Sequence, residues 1–336
     1  MQRHADCFDL LLTLGLSQGI SCGSSTLIGC SLIVSDKTNA ISGLAFATLL
    51  FIGLIMGANH IAARIAFDHG LNVATAVVVR SLVTAVVVSL IVYFQGVPIR
   101  LTSRHKKVLP AIGLLVTIQS LSIYSSVALL PVSLALLAFN TYPLWTAFWC
   151  RVIYGQRPER QVLLAMPIML IGLALALDVF GAASGLGAKA QWGLIGVGVA
   201  FALTAAATFG LALALTQNEA SELDGRVRTA TTMWMVGLLA IIGTQALGAF
   251  QWPTATVGWW GLALLTIFYG TGFTVMFIVL PRLGVVGNSS IMSIEPIFAL
   301  VLGWFILNQK IAVIQIVGAC LVVGLVIKLG LRKQVK

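Results

Sequence analysis

Long apolar runs separated by short joints follow one another along almost the whole chain. No Asp, Glu, Lys or Arg interrupts residues 108–150 or 229–281, and each run could hold two crossings of roughly 20 residues. The pattern predicts an all-α polytopic membrane protein, because membrane-spanning strands would give short segments of alternating polarity. We predict ten transmembrane helices, at 43–66, 71–94, 108–129, 132–153, 161–179, 191–215, 229–250, 257–280, 285–307 and 311–328.

Two of these runs share one local pattern. Pro143 lies in the fourth predicted span and Pro296 in the ninth, and aligning them places residues 155–157 (GQR) on residues 308–310 (NQK) without a gap. The match predicts two copies of a five-helix unit. Because five is odd, the second copy would enter the membrane inverted, as in alternating-access carriers whose site lies between the repeats.

The predicted organisation follows from this repeat. The first 42 residues lack a continuous apolar core, which argues against a cleaved signal peptide, so we expect a cytoplasmic extension or a start codon assigned too far upstream. The predicted segments are the extension 1–42, repeat 1 at 43–179, an extracytoplasmic linker at 180–190, repeat 2 at 191–328, and a basic cytoplasmic tail at 329–336.

Composition and charge support a membrane protein and set its orientation. Hydrophobic residues make up 59% of the chain and charged residues only 9%, and the mean hydropathy is +1.02. The formal charge of +10 lies at the ends of apolar runs, which indicates topogenic charge and no nucleic-acid partner. With both termini in the cytoplasm, most of the 20 lysines and arginines fall inside, as expected for a multi-pass inner-membrane protein. Tryptophans then cluster at the outer interface, at Trp192, Trp252, Trp259 and Trp260.

Several chemistries find no support in the sequence. The five cysteines have no framework spacing, and no pattern of metal ligands occurs, so neither disulfides nor a metal are expected. No phosphate-binding loop or hydrolase motif is present, which argues against an enzyme, an ATP-driven pump or a bound cofactor. Transport would then draw on an ion gradient or on exchange.

The fourth and ninth spans hold the first candidate residues. Glu295 lies about ten residues into its span, near the membrane midplane. It could take a proton or pair with a cationic substrate, or it could be a packing acid satisfied by a neighbouring group. Its counterpart is Tyr142, next to Asn140, and these two could bind substrate or only join helices. Pro143 and Pro296 are the predicted helix breaks.

The first two spans supply basic and amide candidates. Arg80 is too deep to reach the interface, so we expect it to bind a substrate carboxylate, to pair with an acid as the main counterpart of Glu295, or to form an ion pair that only holds the fold. Asn59 and Arg64 share one face of the first span, and Arg64 could instead reach the interface. His60 is interpreted as a hydrogen-bonded helix residue, not a metal ligand.

The chain carries a series of short strings in a characteristic order: Gly57-Ala58-Asn59 with Arg64, Val79-Arg80-Ser81, Tyr142-Pro143-Leu144, Ile294-Glu295-Pro296, Gly303-Trp304 and the loops at residues 155–158 and 308–310. With these strings the chain resembles the EamA-type carriers of the drug/metabolite transporter superfamily, and the resemblance covers residues 43 to 328. That family usually has Gly-Glu-Arg or Gly-Glu-Lys after spans four and nine, whereas Gln156, Gln309 and Asn308 depart from the pattern, so these two loops could cap differently from those of the family.

The resemblance implies a secondary carrier, often an exporter of amino acids or related small metabolites. The expected partners are a small-molecule substrate, the lipid bilayer and a coupling proton, and a homodimer is left open. The alternative is a non-transporting membrane scaffold whose buried charges are packing pairs. Counterflow of labelled solutes in vesicles separates the two.

Overall fold

The chain is built from helices joined by short connections. A computed structural model describes residues 43–156, 167–168, 171–177, 180, 185, 187–247, 250–283, 295–309 and 312–330. The predicted extension 1–42 and most of the predicted fifth span lie outside these residues. The helices are α1 (Gly43–Asp68), α2 (Val73–Phe94), α3 (Ser103–Leu129), α4 (Val132–Phe139), α5 (Tyr142–Tyr154), α6 (Ala188–Glu219), α7 (Gly225–Leu247), α8 (Thr256–Leu283), α9 (Glu295–Leu307) and α10 (Val313–Gly330).

Within the described residues, five helices are long and apolar enough to cross a membrane. In lipid the backbone can be satisfied only within helices or closed barrels, so apolar helices of this length identify a multi-pass membrane protein. Ten spans remain a prediction. The five spanning segments are Leu50–Asp68, Val73–Phe94, Ser103–Leu129, Ala188–Glu219 and Gly225–Gln245.

The span predicted over 132–153 is discontinuous. α4 ends at Phe139 and α5 begins at Tyr142, so Asn140 and Thr141 separate the two helices. Pro143 is the second residue of α5, where a missing N–H costs little because the first-turn N–H groups have no intrahelical acceptor. A proline that would break a helix interior thus begins a new helix.

α9 repeats the construction of α5. Both helices have 13 residues, and proline is second in each. Gly155 (φ 66°) and Asn308 (φ 51°) follow their last residues in the left-handed conformation. Gln156 N donates to Cys150 O, and Gln309 N donates to Gly303 O, at 3.2 Å in both cases. Both helices therefore end in the same Schellman-type cap, because asparagine tolerates the left-handed conformation that the cap requires.

This cap gives a stability prediction. Asn308→Gly should raise the thermal midpoint of the purified protein slightly, because glycine adopts φ 51° without strain. Gly155→Ala should lower the midpoint, with a loss of about 1 kcal/mol in the free energy of unfolding. A Cβ at Gly155 would meet nothing within 4 Å, so the effect would be purely conformational. A higher midpoint for Gly155→Ala would contradict the assigned cap.

Helix contacts repeat between the two halves. α2 packs against α7, the second helix of the other half. α3, the third helix of its half, packs against α6, and α8, the corresponding third helix, packs against α1. α5 contacts α6 in the same way that α9 contacts α1. These contacts between the halves thus have counterparts with the halves exchanged, the mark of a twofold relation.

Two glycines at equivalent positions of the two halves make equivalent contacts. A Cβ at Gly57 would lie 3.2 Å from Ala299 N and 3.3 Å from Phe298 Cβ, and one at Gly210 would lie 2.7 Å from both Thr146 N and Trp145 Cβ. Along the sequence, Gly57 and Gly210 are as many residues apart as Pro143 and Pro296. The same number of residues separates Trp145 from Phe298 and Thr146 from Ala299. One register therefore relates both halves from α1 to the end of α9.

The bundle has two ends of different character. At one end, Arg104 pairs with Glu219, which also accepts a hydrogen bond from Tyr154 Oη at 3.0 Å. The neighbouring Arg226 guanidinium, bonded to Asp224 at 2.8 Å, holds the pKa of that carboxyl below its usual range. We call this the charged end.

The opposite end is rich in tryptophan. Thr254 N donates to His69 O at 2.9 Å, which joins the α7–α8 connection to the α1–α2 connection. Trp252 and Trp259 stack with ring centroids 5.7 Å apart, and both are exposed, as is Trp260. Amphipathic rings of this kind are typical of a membrane–water interface. We call this the tryptophan end.

Candidate substrate site

Glu295 is the first residue of α9 and lies against α1. Its Oε1 is 3.4 Å from Nε2 of His60, with side-chain exposures of 20% and 10%. Gly57 allows the approach, since a Cβ there would lie 3.3 Å from the Glu295 carbonyl oxygen. The carboxylate also stands at the positive end of the α9 dipole. An imidazole and a helix terminus, not an arginine, thus surround it.

Arg80 lies in α2 and is only 2% exposed. Its guanidinium carbon is 3.7 Å from the ring centroid of Tyr269 and 4.6 Å from that of Tyr124. Its Nε has no hydrogen-bond partner. Among the described residues no carboxylate lies within salt-bridge distance of Arg80, so the direct ion pair with Glu295 that the sequence allows is not formed here. Cation–π contacts stabilise the cation but leave its charge in place.

Tyr124 joins these groups. Its hydroxyl donates to Asn59 Oδ1 at 3.1 Å, and its ring meets His60 edge-on at 5.5 Å. The ring also faces Arg80. Tyr124 and Asn59 are fully buried. We call Asn59, His60, Arg80, Tyr124, Tyr269 and Glu295 the polar cluster.

The polar cluster draws on both halves of the chain. Asn59, His60, Arg80 and Tyr124 belong to α1–α3, whereas Tyr269 lies in α8 and Glu295 in α9. A group contributed by both halves can change its geometry when the halves move. It is therefore suited to a site that opens alternately to the two sides.

The break between α4 and α5 holds the other predicted polar residues. Asn140 Nδ2 donates to Leu136 O at 2.8 Å, so this side chain is satisfied within its own helix. The Tyr142 ring packs against Phe139 and Phe209, with centroids 5.6 and 5.1 Å away. The Tyr142 hydroxyl is close enough to Glu295 to interact with its charge. Tyr142 thus borders the polar cluster.

Arg64 serves another part of the structure. Its Nη1 donates to the carbonyl oxygens of Val127, Ala128 and Leu130 at 3.0, 2.9 and 3.3 Å, and its Nε is 3.0 Å from Asp68 Oδ1. These carbonyls end α3, where a cation is favourable and unsatisfied acceptors need donors. Arg64 therefore caps the C-terminal end of α3, near the tryptophan end.

The polar residues that the first half contributes to the polar cluster are not repeated at the equivalent positions of the second half. Applying the sequence separation between Gly57 and Gly210 to three of its members in the first half, Asn59, His60 and Arg80, leads to Ala212, Leu213 and Met233. Met233 even shares the neighbour of Arg80, since its Sδ is 3.6 Å from Tyr269 Oη. The two halves thus place an arginine and a methionine against the same tyrosine.

Three members of the polar cluster were not predicted to belong to the site. His60 was interpreted only as a hydrogen-bonded helix residue, and Tyr124 and Tyr269 were not singled out at all. A tyrosine or histidine in an apolar run has no distinguishing spacing, so no local signal could have identified them.

Two other features lie outside the polar cluster. Among the described residues no group of three or more His, Cys, Asp or Glu side chains could hold a metal ion. A separate cleft of about 570 Å³ lies between the ends of α2 and α7 and is lined by Val92, Tyr93, Val227 and Trp234. It contains no residue of the polar cluster.

Comparison with known proteins agrees with the fold. A solved structure described only as "Crystal structure of protein" superposes with a TM-score of 0.57 at 15% identity, covering 84% of this chain and 96% of that chain. No curated protein matches the sequence significantly. The model of the EamA-like transporter family matches residues 42–177 and again residues 196–329, which together make up most of the chain. This chain belongs to the EamA-like transporter family, within the drug/metabolite transporter superfamily.

Proposed function

We propose that the chain is a secondary-active transporter that works by alternating access between two inverted five-helix repeats. Membership of a transporter family supports transport as the activity. The observation that carries the mechanism is the polar cluster, which both halves build and which lies where their helices cross. Rocking of one half against the other would expose such a site to each side in turn.

The proposed orientation has ten spans with both termini in the cytoplasm of an inner (plasma) membrane. The charged end, with Arg104 and Arg226, would face the cytoplasm, because Lys and Arg accumulate on that side. The tryptophan end would lie at the outer interface. The separation of the two ends within one bundle supports this assignment.

The proposed substrate is a small metabolite, such as an amino acid or a related compound, with export as the favoured direction. Arg80 would bind a carboxylate, and Asn59 and Tyr142 would border the bound molecule. Glu295 would couple transport to a proton gradient or to exchange, because a partly buried carboxylate facing an imidazole can hold or release a proton. The break before Pro143 would let the helix pair α4–α5 bend during the cycle.

Counterflow tests this proposal against the scaffold alternative. The full-length protein is reconstituted into liposomes loaded with unlabelled amino acids and related carboxylates, and entry of the labelled solute is followed. We expect transient accumulation above equilibrium for at least one solute, which protein-free liposomes cannot produce. A scaffold would give none, and failure across the whole solute panel would refute transport of this class.

A further inference from the structure

Three buried nitrogen atoms of the polar cluster have no hydrogen-bond partner. They are Arg80 Nε, Asn59 Nδ2 and His60 Nδ1. All three residues contact Tyr124, so they belong to one neighbourhood. The other unpartnered buried side-chain atoms among the described residues are all oxygens, in Ser81, Ser126, Ser133, Thr274 and Gln309. Arg80 Nε and Asn59 Nδ2 are always donors, whereas the role of His60 Nδ1 depends on the tautomer. An unpaired buried donor costs about 1–3 kcal/mol, so two such donors around one tyrosine form a setting suited to an acceptor-rich ligand.

The charge of the polar cluster indicates the sign of that ligand. His60 and Glu295 face each other at 3.4 Å, so the acid of the polar cluster is engaged by an imidazole and not by Arg80. Arg80 remains charged under all ordinary conditions. Its ring neighbours Tyr124 and Tyr269 are themselves uncharged. Among the described residues, the Arg80 cation therefore has no anionic partner within salt-bridge distance.

The same arrangement disfavours an ammonium group. The only carboxylate of the polar cluster, Glu295, is already engaged by His60. Tyr142 and Tyr124 also interact with Glu295, and a neutral phenol supplies no negative charge. A ligand cation would thus meet the guanidinium of Arg80 without an acid of its own.

Aromatic surfaces surround the charged groups. Tyr269 packs against Phe273 with centroids 4.4 Å apart, and Tyr124 packs against Phe67 at 5.8 Å. Tyr142 adds a ring on the side of α5. Such surfaces suit an apolar or aromatic body attached to the anionic group.

We infer that the site prefers a small organic carboxylate with an apolar body and no free ammonium group over the corresponding zwitterionic amino acid or amine. This inference rests on the proposed function and narrows its substrate class. The carboxylate would accept from Arg80 Nε and Asn59 Nδ2. The His60–Glu295 pair would determine selectivity by keeping the acid away from ligand ammonium groups.

Three probes that share a phenylethyl group but differ in charge test the inference. The purified full-length protein is titrated with 3-phenylpropionate (anion), phenylalanine (zwitterion) and 2-phenylethylamine (cation), and the thermal midpoint is followed, because a ligand of the folded state raises it. We expect 3-phenylpropionate to bind at least about tenfold more tightly than phenylalanine, and the amine to have no effect. Equal or tighter binding of phenylalanine would overturn the inference, as would the absence of any response.

Two variants assign the preference to named residues. Arg80→Gln should weaken 3-phenylpropionate at least about tenfold, whereas Arg151→Gln, the same change at an exposed arginine, should leave it unchanged. His60→Gln frees Glu295 and should shift preference toward phenylalanine, and unchanged selectivity in this variant would contradict the role of the pair. If the size-exclusion profile shows that Arg80→Gln does not fold, the comparison of the three probes on the unaltered protein is the test of the inference. Counterflow separately tests transport, so a transporter that prefers zwitterions would refute this inference only.

Discussion

Glu295→Gln should reduce flux driven by a pH gradient to the rate of protein-free liposomes. Glutamine keeps the size and hydrogen-bonding capacity of the side chain but cannot gain or lose a proton. The introduced amide can still form a hydrogen bond with His60 at the 3.4 Å contact, so we expect normal folding. Gradient-independent counterflow should persist, because binding of an anionic substrate does not need the acid.

The measurement is uptake into proteoliposomes with and without an imposed pH gradient, alongside the thermal midpoint. Glu222→Gln is the matched control, since it removes an exposed acid from the connection between α6 and α7. It should retain gradient-driven flux. Full gradient-driven flux in Glu295→Gln would exclude the coupling role, and loss of counterflow together with gradient-driven flux would assign Glu295 to substrate binding instead.

Gly210→Val should be the most destabilising substitution at a helix contact that we predict. Its Cβ would lie 2.7 Å from the backbone nitrogen of Thr146 and 2.9 Å from the carbonyl carbon of Trp145, and backbone atoms cannot rotate away. α5 must therefore move off α6. Overpacking of this kind costs about 1–3 kcal/mol or more, and we expect a lower thermal midpoint together with lost transport, since α5 begins at the helix break.

Two matched variants make the test specific. Gly193→Val changes a glycine of the same helix whose Cβ would meet nothing within 4 Å, and it should leave the midpoint nearly unchanged. Gly57→Ala, at the equivalent contact between α1 and α9, should have a smaller effect than Gly210→Ala because its closest approach is 3.2 Å and not 2.7 Å. Equal midpoints for Gly210→Val and Gly193→Val would show that the α5–α6 contact is not tight.

Much of the fold was predictable from patterns that are local in sequence. Apolar run length marks helices, and the alignment of Pro143 with Pro296 identified two segments that form α5 and α9 with the same length and the same cap. Here the physical cause is local, since proline fixes a helix start and a left-handed residue fixes its end. Asn308 takes the place of glycine in this cap because asparagine tolerates a left-handed conformation.

The composition of the polar cluster was less predictable. Glu295 and Arg80 stand out in sequence because charge is costly in an apolar run. Their immediate neighbours do not: His60 contacts Glu295, and Tyr269 contacts Arg80, only through packing between helices remote in the chain. Periodicity carries no information on which helices meet, so tertiary structure was needed to find these partners.

The two halves carry different residues at equivalent positions of the polar cluster, and this difference affects how a substrate binds. Two identical halves related by a twofold axis would present every charged group twice and offer a bound molecule two equivalent poses. This chain has arginine at one position and methionine at its counterpart, and glutamate at one position and tyrosine at its counterpart. Joining the halves in one polypeptide thus allowed them to diverge at these positions, so a single molecule can bind in one defined orientation.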